Sequence, residues 1–152
     1  MSTRSTSLVF RKRLSETYLS FAPAARAELE SLARDGYPFE ACGLLLGETV
    51  GRLVRVVDVT SARNLNVERA HDRYELDPRD LLAGEERAEG LGLTVLGIWH
   101  THPDHPARPS ETDRAAAWPG WSYVIVSVRD GAVADLRSWR LHDRVFLEER
   151  IP

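Results

Sequence analysis

Residues 100–113 read His100-Thr101-His102-Pro103-Asp104-His105-Pro106-Ala107-Arg108-Pro109-Ser110-Glu111-Thr112-Asp113. His100 and His102 close an apolar run that reads as a strand, where residues two apart point to one face. Both imidazoles can therefore reach a single ion, while Trp99 and Thr101 face the other way. The proline-rich stretch ends the strand and swings the chain around, so that Asp113, in the first turn of the next helix, can return a carboxylate to the same point. Two imidazoles and one carboxylate around Zn²⁺ leave a fourth tetrahedral position for water, as in a catalytic rather than a structural zinc site. A water held there has its pKa lowered toward about 7 and attacks without a serine or cysteine nucleophile. The same donors also suit non-haem Fe(II), and only the order of elements argues against an iron oxygenase.

The attacking water needs a base. Glu40, flanked by Pro38 and Phe39 and directly preceding Ala41-Cys42-Gly43, is the best candidate by context, but Asp35, Asp104 and Glu111 also lie near the motif or a loop. Residue type and spacing do not separate them decisively. Ser110 and Asp113 form Ser-x-x-Asp, close to a capping box, and helix capping alone accounts for both. It does not account for His-x-His-Pro at the required distance upstream. His71 and His142 read as hydrogen-bonded structural residues, and His105, between Pro103 and Pro106, as part of a solvated turn. Cys42 reads as a packed small hydrophobe, and Trp118 and Trp121 as core aromatics rather than walls of a groove.

These residues need a frame. Leu8 to Leu14 and Thr17 to Phe21 are β-compatible, and Pro23 opens a helix whose stripe of Ala25, Leu29, Leu32 and Ala33 ends at Gly36 and Pro38. Ala41 to Gly47 and Arg52 to Thr60 suggest a hairpin. Asp77-Pro78 starts a charged amphipathic helix closed by Gly90 or Gly92, with Arg79 to Glu89 as its solvated face. Leu93 to Trp99 and Trp121 to Val128 are buried strands, Asp130-Gly131 turns the latter into Val133 to Leu141, and Val145 to Leu147 adds an edge strand. The order βαββαβαββ implies an α/β fold, a single-domain mixed β-sheet flanked by helices.

A chain of 152 residues makes one domain, 1–152, with residues 1–15 as an arm. Charged residues at 28% and hydrophobic residues at 43% are those of an ordinary globular protein. A net charge of −3 provides no basic face for nucleic acid, and Arg11-Lys12-Arg13 is too short to make one. The single Cys42 excludes an intramolecular disulfide and any zinc site built on two thiolates. The sequence carries no apolar signal core and no run of roughly 20 apolar residues, so the expectation is a cytoplasmic protein without membrane contact.

His-x-His-Pro, six residues, Ser, two residues and Asp, with an upstream Glu at a strand start, resembles the signature of the JAMM (JAB/MPN+) zinc metalloproteases at every defining position. The likeness runs from about Pro23 to Leu141 in element order, and is specific in the motif and in Pro38-Phe39-Glu40-Ala41-Cys42-Gly43-Leu44. It implies a JAB/MPN-like, cytidine-deaminase-like architecture. It also implies one Zn²⁺ per chain on His100, His102 and Asp113, with Glu40 as acid/base and Ser110 as oxyanion donor. Family members that cleave polyubiquitin carry an insertion after the metal aspartate, whereas here only the nine residues 114–122 precede the strand near Tyr123. The compact form resembles bacterial peptidases that trim a residue or short peptide from the diglycine end of ubiquitin-like sulfur carrier proteins. Such a Gly-Gly tail is expected to add to an exposed sheet edge. The family also holds metal-free MPN-type binding scaffolds, but those lack the ligands present in this chain. The basic arm reads as a homodimer contact, a partner contact or a disordered segment.

Overall fold

The structure is a computed structural model that describes residues 13–152. The expected strand at Leu8 to Leu14, apart from its end, and most of the basic arm lie outside the described residues. In chain order the elements are β1 (Leu14–Phe21), α1 (Pro23–Gly36), β2 (Cys42–Val50), β3 (Leu53–Ala62), α2 (Pro78–Gly90), β4 (Thr94–Pro103), α3 (Glu111–Ala116), β5 (Ser122–Arg129), β6 (Ala132–His142) and β7 (Val145–Arg150). The strands run β1-β3-β2-β4-β5-β6-β7 around a closed barrel, parallel at β1/β3, β4/β5 and β1/β7 and antiparallel elsewhere.

Alternation along β2 shows how the layers form. Leu45 joins the core under α1, with Leu29, Ala33, Val56, Trp99 and Val124, while Leu44 and Leu46 point the other way and pack with Ala88 of α2. A strand covered on both faces reads as an unbroken apolar run, and Cys42 to Gly47 is buried throughout. The mixed sheet flanked by helices is therefore present. Pro23 sits at the start of α1, and Asp77 caps α2 by accepting from the Arg79 N–H at 2.9 Å.

Val145 to Leu147 was expected at a sheet edge; the structure corrects this, because β7 pairs with β6 on one side and with β1 on the other. A buried carboxylate holds that seam. Glu149, 1% exposed, accepts from Ser122 Oγ and Ser138 Oγ, both at 2.8 Å, and from Thr17 Oγ1, so that β1, β5, β6 and β7 meet on one side chain. A buried charge needs such full hydrogen bonding to be tolerated.

Candidate active site

The site is set by the register of β2 on β4. Cys42 pairs with His100, so partner numbers sum to 142, and continuing that register brings Glu40 opposite His102. Two hydrogen bonds of 2.9 Å carry the pairing onward, from Thr101 N–H to Ala41 O and from Ala41 N–H to Thr101 Oγ1. Opposed residues of an antiparallel pair share a face. Glu40, Cys42, His100 and His102 thus share one face, and Gly43 and Trp99 the other. Glu40 is 6% exposed, and its backbone is tied to Ala70 O and to Asn64 Nδ2.

Three donor atoms converge. His100 Nε2 and His102 Nε2 are 3.1 Å apart, and Asp113 Oδ2 lies 3.1 Å from His102 Nε2 and 3.3 Å from His100 Nε2. His102 Nδ1 lies 2.8 Å from Pro106 O. A carbonyl only accepts, so Nδ1 carries the hydrogen and the Nε2 of a neutral ring is a bare lone pair. That lone pair faces a carboxylate oxygen, and two acceptors in contact call for a cation between them, a proton or a metal. Donors at about 2.0–2.1 Å from a tetrahedral zinc stand about 3.4 Å apart, close to the three separations found, so the residues fit a divalent metal. Glu40, His100 and His102 form a second, looser set of metal-capable groups, their donor atoms all within 4.8 Å of one another. Of the two carboxylates Asp113 stands nearer both imidazoles.

Asp113 is fixed by the start of α3. Ser110 N–H donates to Asp113 Oδ2 at 2.9 Å and Asp113 N–H donates to Ser110 Oγ at 3.0 Å, a reciprocal capping box. The capping reading and the metal-site reading thus describe the same atoms. The His100 ring is covered by Tyr74, stacked at 4.4 Å, and His100 Nδ1 is buried with no hydrogen-bond partner among the described residues. Nothing in the sequence motif marked Tyr74.

Burial and charge sort the titrating groups. Burial pushes Glu40 from 4.5 up to about 7, helped by the Asp113 charge and opposed by His102. Asp113 is also penalised by burial, but hydrogen bonds from His100 and His102 outweigh it and hold the carboxyl well below the usual range. Burial lowers His100. It also acts against charged His102, yet Asp113 and the Pro106 carbonyl raise that ring overall. Two carboxyls at the same site thus shift in opposite directions. Cys42, 1% exposed, has its thiol pushed up to about 12 and is packed and inert.

Two clefts flank the donors. One of about 350 Å³ is lined by Glu40, His102 and Ser110, and by His71, His105 and Arg108. The other, about 310 Å³, is lined by Asp113, Tyr74, Leu76, Ile98, Trp118 and Trp121, among others. His105 is exposed at a bend, as expected, and His71, expected to be structural, is exposed too; both line the first cleft. Trp118, expected in the core, is 69% exposed in the second, because Pro119 and Gly120 turn the chain outward there. A larger cavity of about 690 Å³ lies at the β1/β7 seam, away from all these groups.

The family model for prokaryotic homologs of the JAB domain matches residues 22–142. Desampylase of Haloferax volcanii is 37% identical over 121 residues, covering 75% of this chain and 84% of that protein. CysO-cysteine peptidase of Mycobacterium tuberculosis is 36% identical over 121 residues, covering 78% and 80%. A solution structure of a protein from Desulfitobacterium hafniense superposes with a TM-score of 0.78 at 31% identity, covering 88% of this chain and 91% of that one. Fold, paired carboxyls and relatives together define a hydrolase of the JAB type. The chain belongs to the prokaryotic JAB-domain family, in its compact form. Among the described residues no helix is long and apolar enough to cross a membrane.

Proposed function

We propose that this protein is a cytoplasmic zinc metallopeptidase that hydrolyses the amide bond following the C-terminal diglycine of a ubiquitin-like sulfur carrier protein. The observation that carries this reading is the triangle of His100 Nε2, His102 Nε2 and Asp113 Oδ2 with sides of 3.1–3.3 Å, beside the buried Glu40. Its relatives support the substrate class, since one is named desampylase and another CysO-cysteine peptidase.

In this reading His100, His102 and Asp113 hold one zinc per chain, which when bound supplies Lewis acidity at the scissile carbonyl and acidifies the attacking water. Glu40 takes the water's proton as the new C–O bond forms, then gives it to the leaving amine as the C–N bond breaks. A carboxyl poised near neutrality can do both. Ser110 Oγ accepts from Asp113 N–H, which leaves its own hydrogen free to donate to the oxyanion.

The tail has an edge to join, though not one in the barrel. Asp77 N–H donates to Arg63 O and Leu65 N–H to Glu75 O, a pattern that directs the N–H and C=O of Leu76 outward from the Asn64–Leu76 bridge. Tyr74 and Leu76 also line the second cleft, where an extended tail gains backbone hydrogen bonds beside Trp118. Cleavage of a carrier extended past its diglycine, followed by mass spectrometry, tests the reading. Release after the last glycine is expected from the zinc-loaded protein. It is expected to be lost with chelator and in Glu40→Gln, which keeps its metal; a zinc-loaded protein that leaves every such carrier intact refutes the assignment.

A further inference from the structure

We infer that Arg108 selects the leaving group, binding the free terminal carboxylate of an amino acid or short peptide released after the diglycine, so that this enzyme trims carriers in preference to opening lysine isopeptide bonds. The inference rests on the peptidase reading above. Its first step is polarity. Glu40 must hand a proton to the leaving amine, so the leaving group lies on the Glu40 side, in the cleft of about 350 Å³ that Glu40, His102 and Ser110 share with Arg108.

Charge is the second step. Of the acidic groups in that cleft, Glu40 is the proton carrier and Asp72 is already engaged by Arg69, whose Nε donates to Asp72 Oδ1 at 3.2 Å. The Arg108 guanidinium has no hydrogen bond or ion pair among the described residues, leaving the cleft one uncompensated permanent cation. His71 and His105 line the same space and add donors.

An exposed, unpaired arginine is ordinarily just solvated surface. This one stands on a pinned backbone. Ser127 Oγ donates to His105 O at 2.6 Å, His102 Nδ1 lies 2.8 Å from Pro106 O, Arg108 N–H donates to Pro106 O at 2.8 Å, and Trp139 Nε1 donates to Ala107 O at 3.1 Å. Ala107 itself is 2% exposed. The loop is thus fixed against His102 on one side and the core on the other, and it carries at the wall of the cleft a planar fork suited to a carboxylate. Chemistry then discriminates. In a trimmed amino acid the free carboxylate lies one carbon from the scissile nitrogen, whereas a lysine isopeptide presents a long aliphatic stem whose own carboxyl is tied up in the backbone.

The test uses a ubiquitin-like carrier ending in Gly-Gly and extended by a single alanine, prepared with a free carboxylate and, by ligation, as the carboxamide. The same carrier joined to the ε-amine of a blocked lysine is the third substrate. Wild-type protein is expected to favour the carboxylate over the carboxamide on the order of tenfold in kcat/KM. In Arg108→Ala that ratio collapses toward one, and Arg108→Lys keeps part of it. Calorimetric titration of Glu40→Gln protein, with and without Arg108→Ala, reads the same preference as affinity without turnover. Equal wild-type rates, an intact ratio in Arg108→Ala, or faster cleavage of the lysine isopeptide overturns the role of Arg108 alone. Failure to hydrolyse any of the three overturns the peptidase reading instead, and the affinity ratio still decides whether Arg108 reads a carboxylate.

Discussion

Glu40→Gln should make the metal-free protein more stable above neutral pH. Glu40 is 6% exposed, its carboxyl makes no hydrogen bond among the described residues, and burial pushes its pKa from 4.5 up to about 7. Between those values the fold keeps a proton that the unfolded chain has released, so the native state binds more protons and wild-type stability falls as pH rises from about 4.5 to about 7. Above pH 7 the loss is complete. At 1.36 kcal/mol for each pKa unit it amounts to about 3 kcal/mol. Glutamine has nearly the same shape and cannot ionise, so the variant escapes this cost. The expected gain is close to zero at pH 4.5 and about 3 kcal/mol at pH 8. With a urea dependence of about 2 kcal/mol per molar, the unfolding midpoint should rise by roughly 1.5 M at pH 8. The assay is urea unfolding of chelator-treated wild type and variant at both pH values. A variant no more stable than wild type at pH 8, or equally stabilised at both, refutes the claim that burial of the charge is what sets this carboxyl's proton affinity. A group whose replacement stabilises the fold while ending turnover is one whose strain serves function.

Three further outcomes follow from the same geometry. Ser110→Ala removes the cap of α3 and should cost about 1 kcal/mol, whereas Ser110→Asp restores a cap with no hydrogen to donate. Both should lower kcat by about a hundredfold if the hydroxyl serves the oxyanion, and recovery of activity in Ser110→Asp would assign Ser110 to capping alone. Gly43→Ala would put a Cβ 1.8 Å from Thr60 O and 2.5 Å from Trp99 Nε1, against the 2.9 Å hydrogen bond between them; a loss of more than about 3 kcal/mol is expected in thermal unfolding, and an unchanged midpoint refutes the packing argument. Trp118→Ala should leave the unfolding midpoint nearly unchanged, because the side chain is 69% exposed, yet raise KM for the carrier about tenfold; an unchanged KM removes Trp118 from the substrate groove.

What the sequence made legible was local. β4 and the start of α3 are written in consecutive residues, so strand alternation and turn chemistry sufficed to expect His100, His102 and Asp113 together, and their donor atoms lie 3.1–3.3 Å apart. Closure of the barrel was not legible. It rests on a parallel seam between the two ends of the described chain, registered at Leu14 with Glu148 and Tyr18 with Arg150, and on the hydroxyls around Glu149, none of which leaves a periodic trace. Trp118 went unrecognised for the opposite reason, since aromatic character alone predicts burial and only the turn at Pro119-Gly120 sends the ring outward. Tyr74 lies in a stretch without regular structure, where no period constrains which side chain returns to the site.

Glu40 stands between these cases, and it shows what actually builds the site. Context favoured it without separating it decisively from Asp35, Asp104 and Glu111, because its relation to His102 depends on how β2 registers against β4. That register is held from the opposite face, where Gly43 lies opposite Trp99 and has no Cβ to collide with it, so that the indole can donate to Thr60 O across β2. A slip of one residue would turn Glu40 and Cys42 toward α1 and bring Ala41 onto the imidazole face. The bulge that shifts the β2/β4 pairing falls between Leu45 and Leu46, beyond the segment that carries Glu40, so the irregularity is absorbed away from the site. Glu40 is therefore aligned with His100 and His102 by packing in the core. Substitutions at Gly43 or Trp99, which touch neither cleft, should damage catalysis through the position of Glu40 before they remove the donors His100 and His102 from β4.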